Sequence, residues 1–288
     1  MIQPPFLQAG DLIAIVATAR KITTEEVAPS QAWLEAQGYQ VRLGSSIGLA
    51  DRQFAGADIE RRADLQHQLN DVKVKAILCA RGGYGTVRLI DGLDWTAFRT
   101  QPKWLCGFSD ITVLHALLQQ MGYASIHSTM PLNFDGTVES TQSWKSLHHV
   151  LQGEKHDFDL NNVHFARGKS MQGEVVGGNL SVLYSLMGSS SLPSTAGKIL
   201  FLEDLDEYLY HLDRMLMCLK RGGLLENLAG LLVGGLTKMN DNAIGFGKTA
   251  EEIMLDAVQS YDYPVAFGFP AGHQPLNQAL VLGKLLQL

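Results

Sequence analysis

Ser109 lies in the segment WLCGFSDIT, where an apolar run gives way to a helical pattern. A serine there has two physical uses. As a helix N-cap, its hydroxyl accepts a bond from an unpaired backbone N–H. As a nucleophile in a tight strand-to-helix turn, it sits beside N–H groups and a helix dipole that stabilise a developing oxyanion. The G-x-S-x-G pattern is missing, because Ile111 stands where its second glycine would be. The loop ARGGYG (80–85) places three glycines in four positions and lets a ligand approach backbone N–H groups closely. It lacks the GK[ST] ending of a P-loop and also misses G-x-G-x-x-G. A simple tight turn and an oxyanion donor are its two readings. GFGKT (245–249) ends like a P-loop, but Asn242 occupies the place of the required first glycine. That match reads as coincidence.

Four acids, Glu203, Asp204, Asp206 and Glu207, follow an almost purely hydrophobic segment. Acids at such a point commonly serve the first turn of a helix. One of them could instead orient a histidine that acts as base toward a serine. Spacing alone does not choose among the four. His273, in GFPAGHQPLN, lies between Gly272 and Pro275, which make a rigid loop. It is either a surface residue or a general base, since an imidazole with a pKa of roughly 6.5 suits proton transfer near neutrality. The other histidines have plainer homes: His115 in a helix, His211 on a charged helix and His127 near a strand end. His148, His149, His156 and His164 show no zinc spacing and read as solvated. No H-E-x-x-H, paired C-x-x-C or Asp-rich calcium loop occurs. No metal or cofactor is expected.

These groups need a scaffold. The first half alternates strand-like and helix-like segments: strands at 12–17, 39–43, 75–80, 104–108 and 124–128, helices at 25–37, 57–70 and 110–122. That order implies a mostly parallel sheet covered on both faces, with reactive groups at the carboxyl ends of its strands. The stretch 135–170 is polar with weak periodicity, as expected of a connection between domains. Beyond it come the turn GGNL (177–180), a strand at 198–203, a helix at 206–220, an apolar run at 228–236 and a helix at 249–260. The predicted division is a domain at 1–135 bearing Ser109, a connection at 136–168, and a domain at 169–288.

Bulk properties exclude several classes. A chain of 288 residues, 46% hydrophobic and 18% charged, can bury a full core without disulfides. A net charge of −6 argues against binding nucleic acid. The three cysteines, Cys79, Cys106 and Cys218, have no paired spacing and read as reduced thiols. No secretion signal or span of roughly 20 apolar residues is present. A cytoplasmic protein without membrane contact is expected.

Taken in order, GDLIAIVA, ARGGYG, WLCGFSDIT, GGNL, FLEDLDEYLYHLDRMLMCLKRGG and AGHQPLNQALVLGK resemble the LD-carboxypeptidase family. That family includes murein tetrapeptide carboxypeptidases and microcin-immunity peptidases. The resemblance spans nearly the whole chain and implies an α/β fold. In it, an N-terminal parallel-sheet αβα domain is joined to a C-terminal α+β domain with a partly β-barrel-like core. It implies a triad of Ser109, Glu203 and His273, here with oxyanion donors from Asp110 and from Gly82 or Gly83. A murein tetrapeptide substrate and a homodimer follow from the same resemblance. Two departures are visible. VATAR (16–20) stands where the family often has VAPS, and HSTM (127–130) where it often has H-G-P-M. An exopeptidase also needs a cation for the terminal carboxylate. Arg81, Arg214 and Arg221 adjoin matched motifs, and nothing in the sequence ranks them. The alternatives are a peptidase acting on a peptidyl-nucleotide conjugate and a non-catalytic protein that binds a small polar ligand.

Overall fold

The computed structural model describes every residue from Met1 to Leu288 except residue 156, so His156 lies outside the described residues. Two six-stranded sheets organise the chain. The first is built from β1 (Leu12–Val16), β2 (Gln40–Leu43), β3 (Val74–Cys79), β4 (Trp104–Gly107) and β5 (Ser125–His127), all parallel. Helices α1 (Thr24–Ala36), α2 (Asp58–Asn70), the short α3 (Thr96–Thr100) and α4 (Thr112–Gln120) make the crossovers. Alternation along a strand sends successive side chains to opposite faces. Ile13 and Ile15 accordingly enter one apolar cluster while Ala14 and Val16 enter another.

The polar stretch after β5 holds more regular structure than its composition predicts. It contains α5 (Val138–Gln152), whose Trp144, Leu147 and Leu151 pack onto the first sheet, and an edge strand β6 (His164–Arg167). The second sheet continues with β7 (Gln172–Asn179), α6 (Leu180–Ser185), β8 (Ile199–Leu205), α7 (Leu209–Arg221), β9 (Gly230–Thr237), α8 (Ala250–Ala257) and β10 (Val265–Phe267). Strands β7 to β10 are parallel, and β6 pairs antiparallel with β10. Two short C-terminal strands then part company. β11 (Leu280–Leu282) pairs with β5 in the first sheet, and β12 (Leu285–Gln287) pairs with β7 in the second.

The sheets meet where α4 lies against β7. Gln119 Oε1 accepts from Gly177 N at 3.2 Å, and Thr112 Oγ1 accepts from Asn179 N at 3.0 Å. No helix among the described residues is long and apolar enough to cross a membrane.

Candidate active site at the seam of the two sheets

Ser109 follows the end of β4 and opens the 3-10 turn Ser109–Ile111 that runs into α4. Its φ is 64°, a left-handed conformation that costs a non-glycine residue on the order of 1–3 kcal/mol. Such strain persists only when neighbours enforce it. One of them is His115, whose Nε2 lies 2.8 Å from the Gly107 carbonyl and whose Nδ1 lies 2.8 Å from Ser125 Oγ. A carbonyl only accepts, so Nε2 carries the proton and Nδ1 accepts from Ser125. Burial holds this imidazole neutral, with its pKa down at about 3. Another is Asp110, whose Oδ2 accepts from Thr86 N at 2.9 Å and so ties the turn to the glycine loop.

That loop brings Gly82 against the serine. A Cβ at Gly82 would lie 3.1 Å from Ser109 Cβ, 3.2 Å from Ser109 Oγ and 3.4 Å from Asp110 N. The first N–H groups of a helical turn have no partner within it. Asp110 N and the Gly82 position therefore lie together beside Ser109.

Glu203 is a buried residue of β8, and His273 comes from the loop after β10. Glu203 Oε2 accepts from His273 Nδ1 at 2.7 Å and from His273 N at 3.1 Å. Thr237 Oγ1 donates to the His273 carbonyl at 2.7 Å, fixing the loop from β9. Burial opposes the Glu203 charge, but contacts with His127 and His273 outweigh it and hold the carboxyl down at about 2. Burial likewise opposes charge on His273. The Glu203 hydrogen bond and charge win, and its pKa is raised above the usual value.

The other three acids go elsewhere. Asp204 accepts from Asn179 Nδ2, Ser181 N and Leu205 N at 2.9–3.0 Å, while burial pushes its pKa up to about 7. Asp206 is exposed and accepts from Asn240. Glu207 accepts from His211 at 2.6 Å.

Ser109 and His273 line one cavity of about 460 Å³, shared with Arg20, Arg81, Asn179 and Glu207. Among the described residues no hydrogen bond joins Ser109 Oγ to His273. A second cavity of about 610 Å³ continues past His273 toward Asp135 and Lys238. The rings of Phe108 and His273, with centroids 4.8 Å apart, stand on the divide.

Two neighbours of the site escape sequence reasoning. Arg20 enters the cavity although it belongs to the divergent VATAR segment. His127 reaches Glu203, with Nε2 and Oε1 3.8 Å apart. The only signal for either was its place in a segment that departs from the family pattern: Arg20 follows VATA, and His127 is the one residue besides Met130 that HSTM shares with H-G-P-M. Among the described residues no cluster of three or more His, Cys, Asp or Glu side chains suits a metal ion.

Comparison with known proteins finds relatives over nearly the whole chain. Residues 13–128 match the LD-carboxypeptidase N-terminal domain and residues 172–288 the C-terminal domain. A probable murein peptide carboxypeptidase of Bacillus subtilis is 35% identical over 286 residues, covering 98% of this chain and 89% of the relative. The murein tetrapeptide carboxypeptidase of Pseudomonas aeruginosa is 29% identical over 282 residues, covering 94% and 91%. A structure of MccF in complex with glutamyl sulfamoyl guanosine superposes with a TM-score of 0.89 at 20% identity, covering 99% of this chain and 94% of that one. At that identity the likeness speaks to fold alone. With both domain models matched in order, the chain belongs to the LD-carboxypeptidase family.

Proposed function

We propose that this protein is a serine-type carboxypeptidase that removes the terminal D-alanine from a murein tetrapeptide, cutting its bond to an L-centre diamino acid. The observation that carries this reading is the Glu203–His273 hydrogen bond at 2.7 Å, opening on the cavity that also holds the strained Ser109. Ser109 Oγ attacks the scissile carbonyl while His273 Nε2 takes its proton. The oxyanion is held by Asp110 N and a glycine N–H, with Gly82 favoured because a Cβ added there would lie 3.2 Å from the hydroxyl. Collapse breaks the C–N bond, and the leaving amine takes the proton from His273. Water activated by the same imidazole then hydrolyses the acyl-enzyme. Glu203 stays ionised throughout and stabilises the imidazolium.

The free carboxylate of the leaving residue lies within about one residue length, roughly 3.8 Å, of the attacked carbonyl. Its cation must therefore stand beside the serine. Arg20 and Arg81 do so. The stem of Arg20 lies over Gly83, and Arg81 donates Nη1 to the Lys21 carbonyl at 3.0 Å while its Nε is buried with no partner among the described residues. Neither has a carboxylate partner among the described residues. Arg214 instead stacks over Tyr210, and Arg221 is outside the cavity.

As part of the same proposal, the enzyme works as a cytoplasmic homodimer in peptidoglycan recycling, and its residues 1–135 and 169–288 form the two domains. The three free cysteines support a reducing compartment.

Release of D-alanine from a synthetic murein tetrapeptide tests the assignment, with an aminoacyl-nucleotide analogue and a C-terminally amidated tetrapeptide assayed in parallel. Ser109→Ala is expected to lower turnover by roughly 10⁴-fold or more, and amidation to remove most of the activity. A Ser109→Ala enzyme that still releases D-alanine at near the unmodified rate rules out the covalent route. Preference for the nucleotide conjugate would replace the substrate and keep the mechanism.

A further inference from the structure

His127 is the last residue of β5 and is fully enclosed. The rings of Phe201, Phe108 and His115 surround it, with centroids 5.0, 5.8 and 6.3 Å away. Among the described residues neither of its ring nitrogens has a hydrogen-bond partner, and the same holds for Glu203 Oε1. These orphaned atoms face one another, with His127 Nε2 3.8 Å from Glu203 Oε1 and both side chains wholly buried. The other carboxylate oxygen is already engaged by the ring and backbone of His273. Buried polar atoms nearly always find partners. Here one donor-capable ring and one acceptor lie less than 1 Å beyond bonding range, so a small approach satisfies both.

We propose that His127 is a positioning residue for the reaction: its Nε2–H donates to Glu203 Oε1, so that the carboxylate is clamped between two imidazoles with Oε2 turned toward His273. The inference rests on the triad reading above. Without the clamp, Oε1 is left unpaired in an apolar enclosure, and the carboxylate is free to rotate away from the base. Its place in the chain fits this role. β5 belongs to the first sheet and Glu203 to the second, so the contact couples the half that carries the nucleophile to the half that carries the base.

The test separates donation from space filling. Phe fits the aromatic enclosure but donates nothing, whereas Gln carries an N–H near the position of Nε2. His127→Phe is expected to lower kcat by roughly 10- to 100-fold, with KM nearly unchanged. His127→Gln should retain clearly more activity than His127→Phe. In a Glu203→Gln background, His127→Phe should cost less than about twofold more, because the acceptor it served is altered. Full activity of His127→Phe, a better Phe than Gln variant, or the same loss in both backgrounds would each overturn the inference.

Should the Phe variant fail to fold, ¹⁵N spectra of the unmodified protein decide. An Nε2-protonated His127 ring whose signal moves in Glu203→Gln supports the clamp, and an Nδ1-protonated ring refutes it. An active Ser109→Ala would refute the triad instead. A dead Ser109→Ala beside an unaffected His127→Phe leaves the triad standing and removes only the clamp.

Discussion

Glu203 keeps its charge in complete burial because two imidazoles and one backbone N–H converge on it. A lone carboxylate there would protonate instead. The partner of that charge is His273, and this gives the pH dependence a definite sign. In the proposed mechanism His273 must be neutral to accept the Ser109 proton. Its pKa is raised above the usual 6.5 by Glu203, so kcat/KM should fall as pH drops through a value higher than 6.5. Asp204, pushed up to about 7, titrates nearby and would give a similar limb. Asp204→Asn tells them apart: a limb that belongs to His273 should persist, slightly lowered, and one that belongs to Asp204 should vanish. Losing the carboxylate in Glu203→Gln lowers both groups, so there the limb should move to lower pH while kcat drops roughly 10³- to 10⁴-fold. At this scale, Ser109, Glu203 and His273 were singled out by the motifs that carry the family resemblance, and the structure bonds Glu203 to His273 beside the cavity that Ser109 lines. Nothing local distinguished Glu203 from Asp204, one residue away. Only the alternation of β8, which turns successive side chains to opposite faces, sends one acid to the histidine and the other to the start of α6.

Turns at strand ends carry the site, and two glycines there should respond differently to the same added methyl group. Gly82 has φ outside the left-handed region, and its Cβ would press on Ser109 and Asp110 N at 3.1–3.4 Å. Gly82→Ala should therefore fold with near-normal stability and lose activity roughly 10²- to 10³-fold, the loss expected when one oxyanion donor is blocked. Gly272 has φ 104°, and its Cβ would fall 2.7 Å from Glu203 Cβ, Cγ and Oε2. Gly272→Ala should lose stability, by on the order of 1–3 kcal/mol, together with activity. Paired melts and turnover assays check both. Equal melting temperatures for the two variants would contradict the account.

Periodicity revealed β1 to β5, β8, β9 and most helices to within a few residues, because β1, β3 and β4 are near-continuous apolar runs bounded by polar turns. It missed β10 and β7, whose Gly177–Asn179 end reads as a turn in the sequence but lies within the strand. It did not reveal α5. There Trp144, Leu147 and Leu151 keep helical spacing, but ten polar or charged residues dilute the signal. Nor did it reveal β11 and β12, three residues each, whose strand character comes from the edges they meet.

Those two terminal strands bear on the whole molecule, since they stitch different sheets. β11 pairs Leu280 with His127 and Val281 with Ile126, whereas β12 pairs Leu285 with Glu174. The tail is also bonded across the turn between them, through Gly283 N to the Val175 carbonyl at 2.7 Å. Active-site geometry therefore depends on the two segments unequally. Stopping the chain after Gly283 strips only an edge strand from the second sheet, far along β7 from Asn179. That protein should fold, melt a few degrees lower and keep most of its turnover. Stopping after Gln278 also removes the neighbour that holds β5 in register beside His127. Leu280 and Leu282, both buried between the sheets, go with it. At roughly 1.5–3 kcal/mol for each buried leucine, the second truncation forfeits a large part of the stability of an ordinary domain. It should abolish activity even where soluble protein is recovered. Comparing melts and D-alanine release for the two truncations measures how the halves are held together. If the longer deletion kept its turnover, the seam would be maintained by α4 and β7 alone.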